Sequence, residues 1–564
     1  MTSLFLSSGN AALAIKGLGL AGALLAAWFR PGVGDRWFRQ VERAAARIAQ
    51  KELLVTAGIA AAAILLRVAL LPVAPLPVPV VQDEFSYLLA ADTFAHARLT
   101  NPTHPMWFYL DTMHVNQQPT YMSKYPPAQG AALAVGQILG HPWIGVLLSV
   151  AAMCAAITWM LQGWLPPVWA LLGAVFAVVR LALFSYWVNS YWGGAVAAAG
   201  GALVMGAVPR LFHRERPRDA WLLGLGLAIL ASSRPLEGAI LCLPVAVALL
   251  WWRFKSQRWR RGTPRNVLPP LAAVLLLTGI FLGYYNWRVT GNPLLLPYVL
   301  NEQAHSSRPL FVWQKLRLPI QFTNPQFDYF YNHMMRSELI DLQHDFVGTA
   351  LQRGKTLLSF FTGTLPFVLL LLTLPRLLRD KRTRLLVVQL VVSGIGLLVV
   401  APFFAHYAAP LTATIMALMV QGMRHLRHLE YAGRPVGVGL TRGIALLVLA
   451  IVPFDTAKAI HEAHAHFPKD DPAMYERARI ASQLEGTTGH HLVIVRYGPG
   501  HQVHDEWVYN TSDIDDSKIV WAREIPGQDL HPLLGYFKDR RVWLAEADTL
   551  PAKLRPYPPG SDQP

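Results

Sequence analysis

Asp83 and Glu84 stand side by side where the chain leaves an apolar stretch, in the run VQDEFSYLLAADTFA. Residues 53–74 are apolar enough to cross a bilayer, so the acids fall at a membrane exit. Ionisable groups are costly in such a place and are retained there for function, which makes the pair a site hypothesis. About forty residues on, SKYPPAQG supplies Lys124 just before the chain re-enters apolar sequence. Carboxylates and a cation bracketing one loop suit chemistry on a lipid-borne, phosphate-containing substrate. A carboxylate beside the reacting carbon can deprotonate an acceptor hydroxyl, and Asp83 is the candidate base. Glu84 could orient the acceptor or hold a divalent cation. Lys124 would neutralise negative charge developing on a leaving phosphate. The competing reading is that both acids merely cap the helix that follows them.

The elements that must position these residues are set by composition. With 53% apolar and only 15% charged residues and a mean hydropathy of +0.32, the chain reads as a polytopic α-helical membrane protein. Apolar windows fall at 11–29, 53–74, 141–161, 166–184, 192–209, 219–233, 238–252, 267–286, 357–375, 385–401, 408–423 and 443–459, about twelve spans. The first lacks a basic leader and is read as a retained helix, not a signal peptide.

The formal charge of +16 encodes topology. Five loops (30–51, 210–218, 253–265, 376–384 and 424–442) hold 25 of the 50 Lys and Arg, with only Asp35, Glu42, Glu215, Asp380 and Glu430 as acids. Threading the spans alternately puts all five on one side. The positive-inside pattern then places both termini outside the cytoplasm. Nucleic-acid binding is not expected. Cys154 and Cys242 both lie within spans, so neither a disulfide framework nor a cysteine metal site is available. The sequence contains no phosphate-cradling glycine loop, which argues against a bound nucleotide.

Three regions lie outside the membrane on the face opposite the basic loops. The first, about 75–127, opens with Phe85, Leu88, Leu89 and Phe94 near helical spacing, an amphipathic helix expected in the interface. The second, about 288–355, contains the aromatic stretch FTNPQFDYFYNHMM. The third is the tail, 461–564, where a helical pattern near 472–485 precedes strand-like LVIVRY, KIVWAR and RVWLAEA, a small α/β domain. The organisation is therefore residues 1–52, an extra span and basic loop; 53–460, the main membrane domain; and 461–564, the external domain.

A first external loop that opens with Asp-Glu-X-X-Tyr and closes with Lys-X-Pro-Pro resembles the GT-C superfamily, polytopic glycosyltransferases that use polyprenyl-phosphate-linked sugars. Within it the chain is most similar to bacterial relatives of aminoarabinose transferases and protein O-mannosyltransferases. The matching positions are Asp83, Glu84, Tyr87, Lys124, Pro126 and Pro127. Ser86 departs from the pattern, standing where aminoarabinose transferases carry Arg. The resemblance implies a glycosyltransferase of the bacterial inner membrane, with its active site and tail domain on the periplasmic side. It implies a polyprenyl-phosphate sugar as donor, an envelope glycan, lipid or protein as acceptor, and an inverting displacement. Tyr87 and Tyr125 are then substrate-binding candidates.

Other polar residues at the outer turns carry weaker signals. Arg234 in SRPLEG could grip a lipid phosphate or simply pair with Glu237. In FSYWVNSYWGG, Asn189 is a candidate wall of the sugar site, among rings that an aromatic belt also explains. His406 in FFAHYAAP is a further substrate-site candidate. Glu84, His104 and His114 are the residues that could hold Mg, Mn or Zn; the cofactor stays open between such a cation and none. Two other classes compete: a transporter or flippase for a lipid-linked sugar, and an envelope scaffold with a degenerate site. A transporter would place ionisable groups near the midplane in inverted repeats. Arg67 and Arg180 are the main charges within spans, and no repeat is visible.

Overall fold

A computed structural model describes residues 32–255, 264–362, 373–450, 452–456 and 472–558, with Gly22, Leu25 and Phe29. Many helices begin on a proline, at Pro127, Pro142, Pro167, Pro217, Pro235, Pro264 and Pro297. Proline is tolerated at a first turn because the N–H it lacks has no intrahelical partner there. The sequence thus marks its own helix starts.

Among the described residues six helices are long and apolar enough to cross a membrane: Glu52–Ala69, Pro142–Trp164, Ala195–His213, Pro235–Lys255, Asn266–Thr290 and Val436–Thr456. A seventh results if Thr373–Arg379 and Arg384–Val399, bent by 109°, form one broken span. Of the windows behind the expected count of about twelve, several fold among the described residues as shorter helices. Windows 166–184, 219–233, 385–401 and 408–423 fold as the shorter helical stretches Pro167–Ala182, Pro217–Ser233, Arg384–Val399 and Thr412–Leu426. Turn residues and prolines interrupt them before a full span is complete. The window at 11–29, most of 357–375 and the start of the tail lie outside the described residues.

The helices Pro142–Trp164 and Ala195–His213 form the centre of the bundle, and their glycines let backbones touch. A Cβ at Gly201 would stand 2.1 Å from the carbonyl oxygen of Pro410, and one at Gly145 would stand 2.0 Å from that of Ala132. Such contacts exclude any side chain. By contrast Leu276, Leu277 and Ile280 on the Asn266–Thr290 helix are largely exposed, as a lipid-facing surface requires.

The two ends of the bundle differ. At one end the helix Asp35–Ala49 is tied to the segment 424–442: Glu42 accepts from Arg427 at 3.0 Å and from Arg442 at 3.2 Å, and Asp35 also pairs with Arg442. Two of the basic loops therefore meet. Beyond the other end of Glu52–Ala69, the first loop, the second loop and the tail converge. The first loop contains the helix Gln82–Ala95 and a small antiparallel sheet of β1 (Asn101–Pro102), β2 (Val115–Asn116) and β3 (Thr120–Ser123), with β3 central. The tail forms a sheet of β4 (His491–Arg496), β5 (Ile519–Arg523), β6 (Arg541–Glu546) and β7 (Lys553–Pro556), ordered β5-β4-β6-β7. β4 runs parallel to β5 and to β6, and β7 closes the edge antiparallel to β6.

Tail and first loop share one core. Leu89, Leu110, Val115 and Tyr121 pack with Leu492, Ile514, Val520 and Leu533. Arg98 forms a two-pronged pair with Asp513 at 2.9 and 2.8 Å, and Asp92 accepts from the Ser512 amide at 2.7 Å. The helix Gln82–Ala95 is consequently no interfacial amphipath. Phe85 and Leu89 are fully buried, and Phe85 stacks on Tyr509 of the tail. Its apolar residues face protein on several sides, which a single-face periodicity does not anticipate.

Candidate functional site

Asp83 lies in the first turn of the Gln82–Ala95 helix. Its Oδ1 accepts a hydrogen bond from the Tyr125 hydroxyl, and its Oδ2 lies 3.9 Å from His114 Nε2. The side chain remains 21% exposed, so a substrate hydroxyl can reach it. Burial first, and then the charge of Asp83, hold the Tyr125 hydroxyl well above its ordinary pKa, which keeps it a donor. Tyr125 in turn stacks on Tyr87, with ring centroids 4.4 Å apart.

His114 occupies the left-handed region at φ 65°, a conformation histidine adopts more readily than most residues. Its carbonyl is held by the Ser86 hydroxyl at 2.6 Å and the Lys124 amide at 3.1 Å, while Ser86 also meets Ser123 at 2.8 Å. Ser86 is fully buried in this network. A long cation there would have no room, which is the physical content of the departure at that position. Burial, reinforced by Lys124, keeps His114 well below the ordinary imidazole pKa. The unfolded chain therefore binds this proton more readily than the folded one, and stability falls as pH drops below about 6.5. His114→Gln should flatten the dependence of the unfolding midpoint on pH between 7.5 and 5.5; an unchanged slope would mean that the imidazole is not held neutral.

Lys124 is buried and pairs with Glu302 at 3.2 Å. Its ammonium also lies 4.9 Å from the ring of Tyr298 and 5.6 Å from that of Tyr125. Burial opposes ionisation of Glu302, but Lys124 and Arg308 together hold its carboxyl below the ordinary value. Arg308 is itself buried and paired with Glu338. Arg234 lies over the Tyr407 ring at 4.5 Å and 3.9 Å from Glu237. Each of these three cations thus has a carboxylate partner, with tyrosines between them.

Glu84, the candidate for orienting an acceptor or holding a cation, is buried, and its oxygens accept from the backbone amides of Val80 at 2.9 Å, Val81 at 3.3 Å and Tyr191 at 3.0 Å. It caps the helix and ties it to the 184–193 turn. Burial raises its carboxyl to about 7, against the pull of those three donors. Glu84→Ala should cost about 1–3 kcal/mol for each buried donor left unpaired, read as a lowered unfolding midpoint. Glu84→Gln keeps one accepting oxygen but turns its NH2 toward another of those amides, so it should recover only part of that stability. Loss of turnover in folded Glu84→Gln would restore a chemical role.

Three further candidates have partners of their own. Asn189 accepts from Arg67 at 2.8 Å and donates to Ser185 O at 3.0 Å, which anchors a buried arginine. His406 is buried among Trp192, Phe404 and Tyr407 and meets the Tyr186 hydroxyl at 3.0 Å. His104 lies 3.1 Å from Asp515 and stacks on Phe537, joining the first loop to the tail. Glu84, His104 and His114 are therefore not brought together. Among the described residues no group of three or more His, Cys, Asp or Glu side chains could hold a metal.

Sequence reasoning makes the second loop and the tail acceptor readers but names none of the residues they bring to the site. Tyr298 and Glu302 lie four residues apart in the helix Pro297–His305, on one face toward Lys124. That spacing after a helix-starting proline was the available signal. The tail reaches the site through Val503, whose carbonyl accepts from Gln82 Nε2, and through His504, 3.4 Å from Gln82 Oε1. Met113, Phe330, Tyr331 and Val503 form the small core where first loop, second loop and tail meet.

No family model matches the sequence, and no curated protein matches it significantly. Among solved structures the chain is similar to ArnT from Cupriavidus metallidurans in the apo state, at 11% identity over 85% of this chain and 91% of that one, with a TM-score of 0.47. The same protein bound to undecaprenyl phosphate gives 11% identity, 87% and 93% coverage and a TM-score of 0.45. The Archaeoglobus fulgidus oligosaccharyltransferase in the apo form gives 12% identity, 78% and 62% coverage and a TM-score of 0.37. The site's own geometry, rather than this similarity, carries the functional reading below.

Proposed function

We propose that this chain is a membrane glycosyltransferase of GT-C type, transferring a sugar from a polyprenyl-phosphate donor to an envelope glycan, lipid or protein acceptor outside the cytoplasmic membrane. The observation that carries the reading is Asp83, partly exposed, oriented by Tyr125 and accompanied by the buried Lys124 from the same loop. Asp83 takes the proton of the acceptor hydroxyl as its oxygen bonds to the anomeric carbon. The bond from that carbon to the phosphate oxygen breaks, and the phosphate leaves with the electron pair. Lys124, with Arg308 and Arg234 nearby, meets the charge developing on the leaving group. A single displacement of this kind inverts the anomeric centre. No step is routed through a metal.

The transporter reading gains nothing from Arg67. It is fully buried, donates to Asn189 and to the carbonyl of Pro75 and lies over Trp143, which is the behaviour of a packing residue. Purified protein supplied with radiolabelled polyprenyl-phosphate sugars should release polyprenyl phosphate. Binding without release, accompanied by movement of the lipid across vesicle membranes, would replace transfer by transport.

A further inference from the structure

A cavity of about 950 Å³ lies in the tail. It opens at the carboxyl ends of β4 and β5, where the residues following those strands form its walls, and Gln326 of the second loop closes one side. Parallel sheets bind ligands in this place, because chain-reversing connections diverge there and leave a crevice. The volume is within the range of small-molecule sites.

The strand ends beside the cavity are braced by pairs that lie outside its lining. Arg523 and Glu506, both buried, pair at 3.0 Å, and Glu506 also accepts from the Tyr497 hydroxyl at 2.7 Å. Asp548 accepts from the Gly498 amide at 2.7 Å and meets His501 at 2.8 Å, fixing the turn after β4. At the mouth, Arg496 and Glu524 form a two-pronged pair. Asp529 and His531 pair at 2.6 Å. The cavity's arginine and its histidine therefore each carry a carboxylate partner. Planar groups offering donors and acceptors together, beside Tyr497, Tyr557 and Leu530, suit a neutral polyhydroxylated ring. Vicinal hydroxyls bridge such pairs, and the apolar face of a sugar lies against an aromatic ring.

We propose that the tail cavity is the acceptor-reading site and that its ligand is a neutral oligosaccharide. The inference rests on the glycosyltransferase reading for the role of that glycan, but not for its binding. The connection that leaves β4 at the cavity continues to Val503 and His504, which hold Gln82 beside Asp83. A glycan bound at its start is thereby tethered to the segment that reaches the base.

Full-length protein in nanodiscs should be applied to an array of neutral oligosaccharides, uronic-acid oligosaccharides and peptides. Binding to neutral glycans is expected in wild type and in Asp83→Asn. It should fall at least tenfold in Arg496→Ala/Glu524→Ala, which removes both charges together. Gln528→Trp fills the cavity from an exposed position and should weaken binding equally, so the result does not depend on one variant folding. Binding only to peptides or acidic glycans, binding untouched by both variants, or no binding at all would overturn the proposal. Release of polyprenyl phosphate is read in parallel: release without glycan binding sinks the cavity alone, and glycan binding without release sinks the transfer reading alone.

Discussion

Asp83→Asn is expected to lower transfer on the order of 10²–10⁴-fold while leaving donor binding and the unfolding midpoint close to wild type. The asparagine keeps the shape of the side chain and an oxygen that can accept from Tyr125, so the local hydrogen bond survives. What disappears is the capacity to take a proton as the acceptor oxygen attacks. Loss confined to the transition state lowers kcat and kcat/KM together, whereas lost donor contact would raise KM alone. Tyr125→Phe gives the complementary result. It keeps the carboxylate but removes the donor that orients it, so a smaller loss than that of Asp83→Asn is expected. Turnover within a few-fold of wild type in Asp83→Asn would make Asp83 a helix-capping acid and leave the reaction without a base.

The contrast between Asp83 and Glu84 shows how far the sequence could be read. An acid pair at a membrane exit is visible in one dimension, and so is the lysine that closes the loop. Which acid keeps access to substrate is not visible, because it depends on three amides, one of them on Tyr191 more than a hundred residues away. The same limit explains Asn189 and His406. Their partners, Arg67 and Tyr186, come from chain-distant or ring-crowded positions that an outer-turn motif cannot reveal. Strands in the tail were legible from their β-branched and aromatic runs, but the fourth, β7, reads KLRP and lacks that signature. The burial of the Gln82–Ala95 helix was hidden for a related reason. Its covering surface is the tail, supplied some four hundred residues later, and neither segment's periodicity records the other.

Lys124 and Glu302 should separate stability from chemistry. Lys124→Met leaves the half-buried Glu302 without its nearest cation, and Glu302→Gln leaves the buried Lys124 ammonium without its carboxylate. Breaking a buried pair from one side costs about 3–5 kcal/mol, because the surviving charge is uncompensated. Each single variant should therefore unfold at lower temperature or denaturant concentration. The double variant Lys124→Met/Glu302→Gln removes both charges and should recover most of that loss, since replacing a buried pair is close to neutral. Transfer should not recover with it. The leaving phosphate still lacks the ammonium, and loss of one such electrostatic contact typically lowers kcat by about 10²–10³-fold. Recovery of both stability and turnover in the double variant would reduce the pair to a structural clamp between the first and second loops. Recovery of stability alone assigns Lys124 to the phosphate and Glu302 to holding that cation in place until the donor arrives.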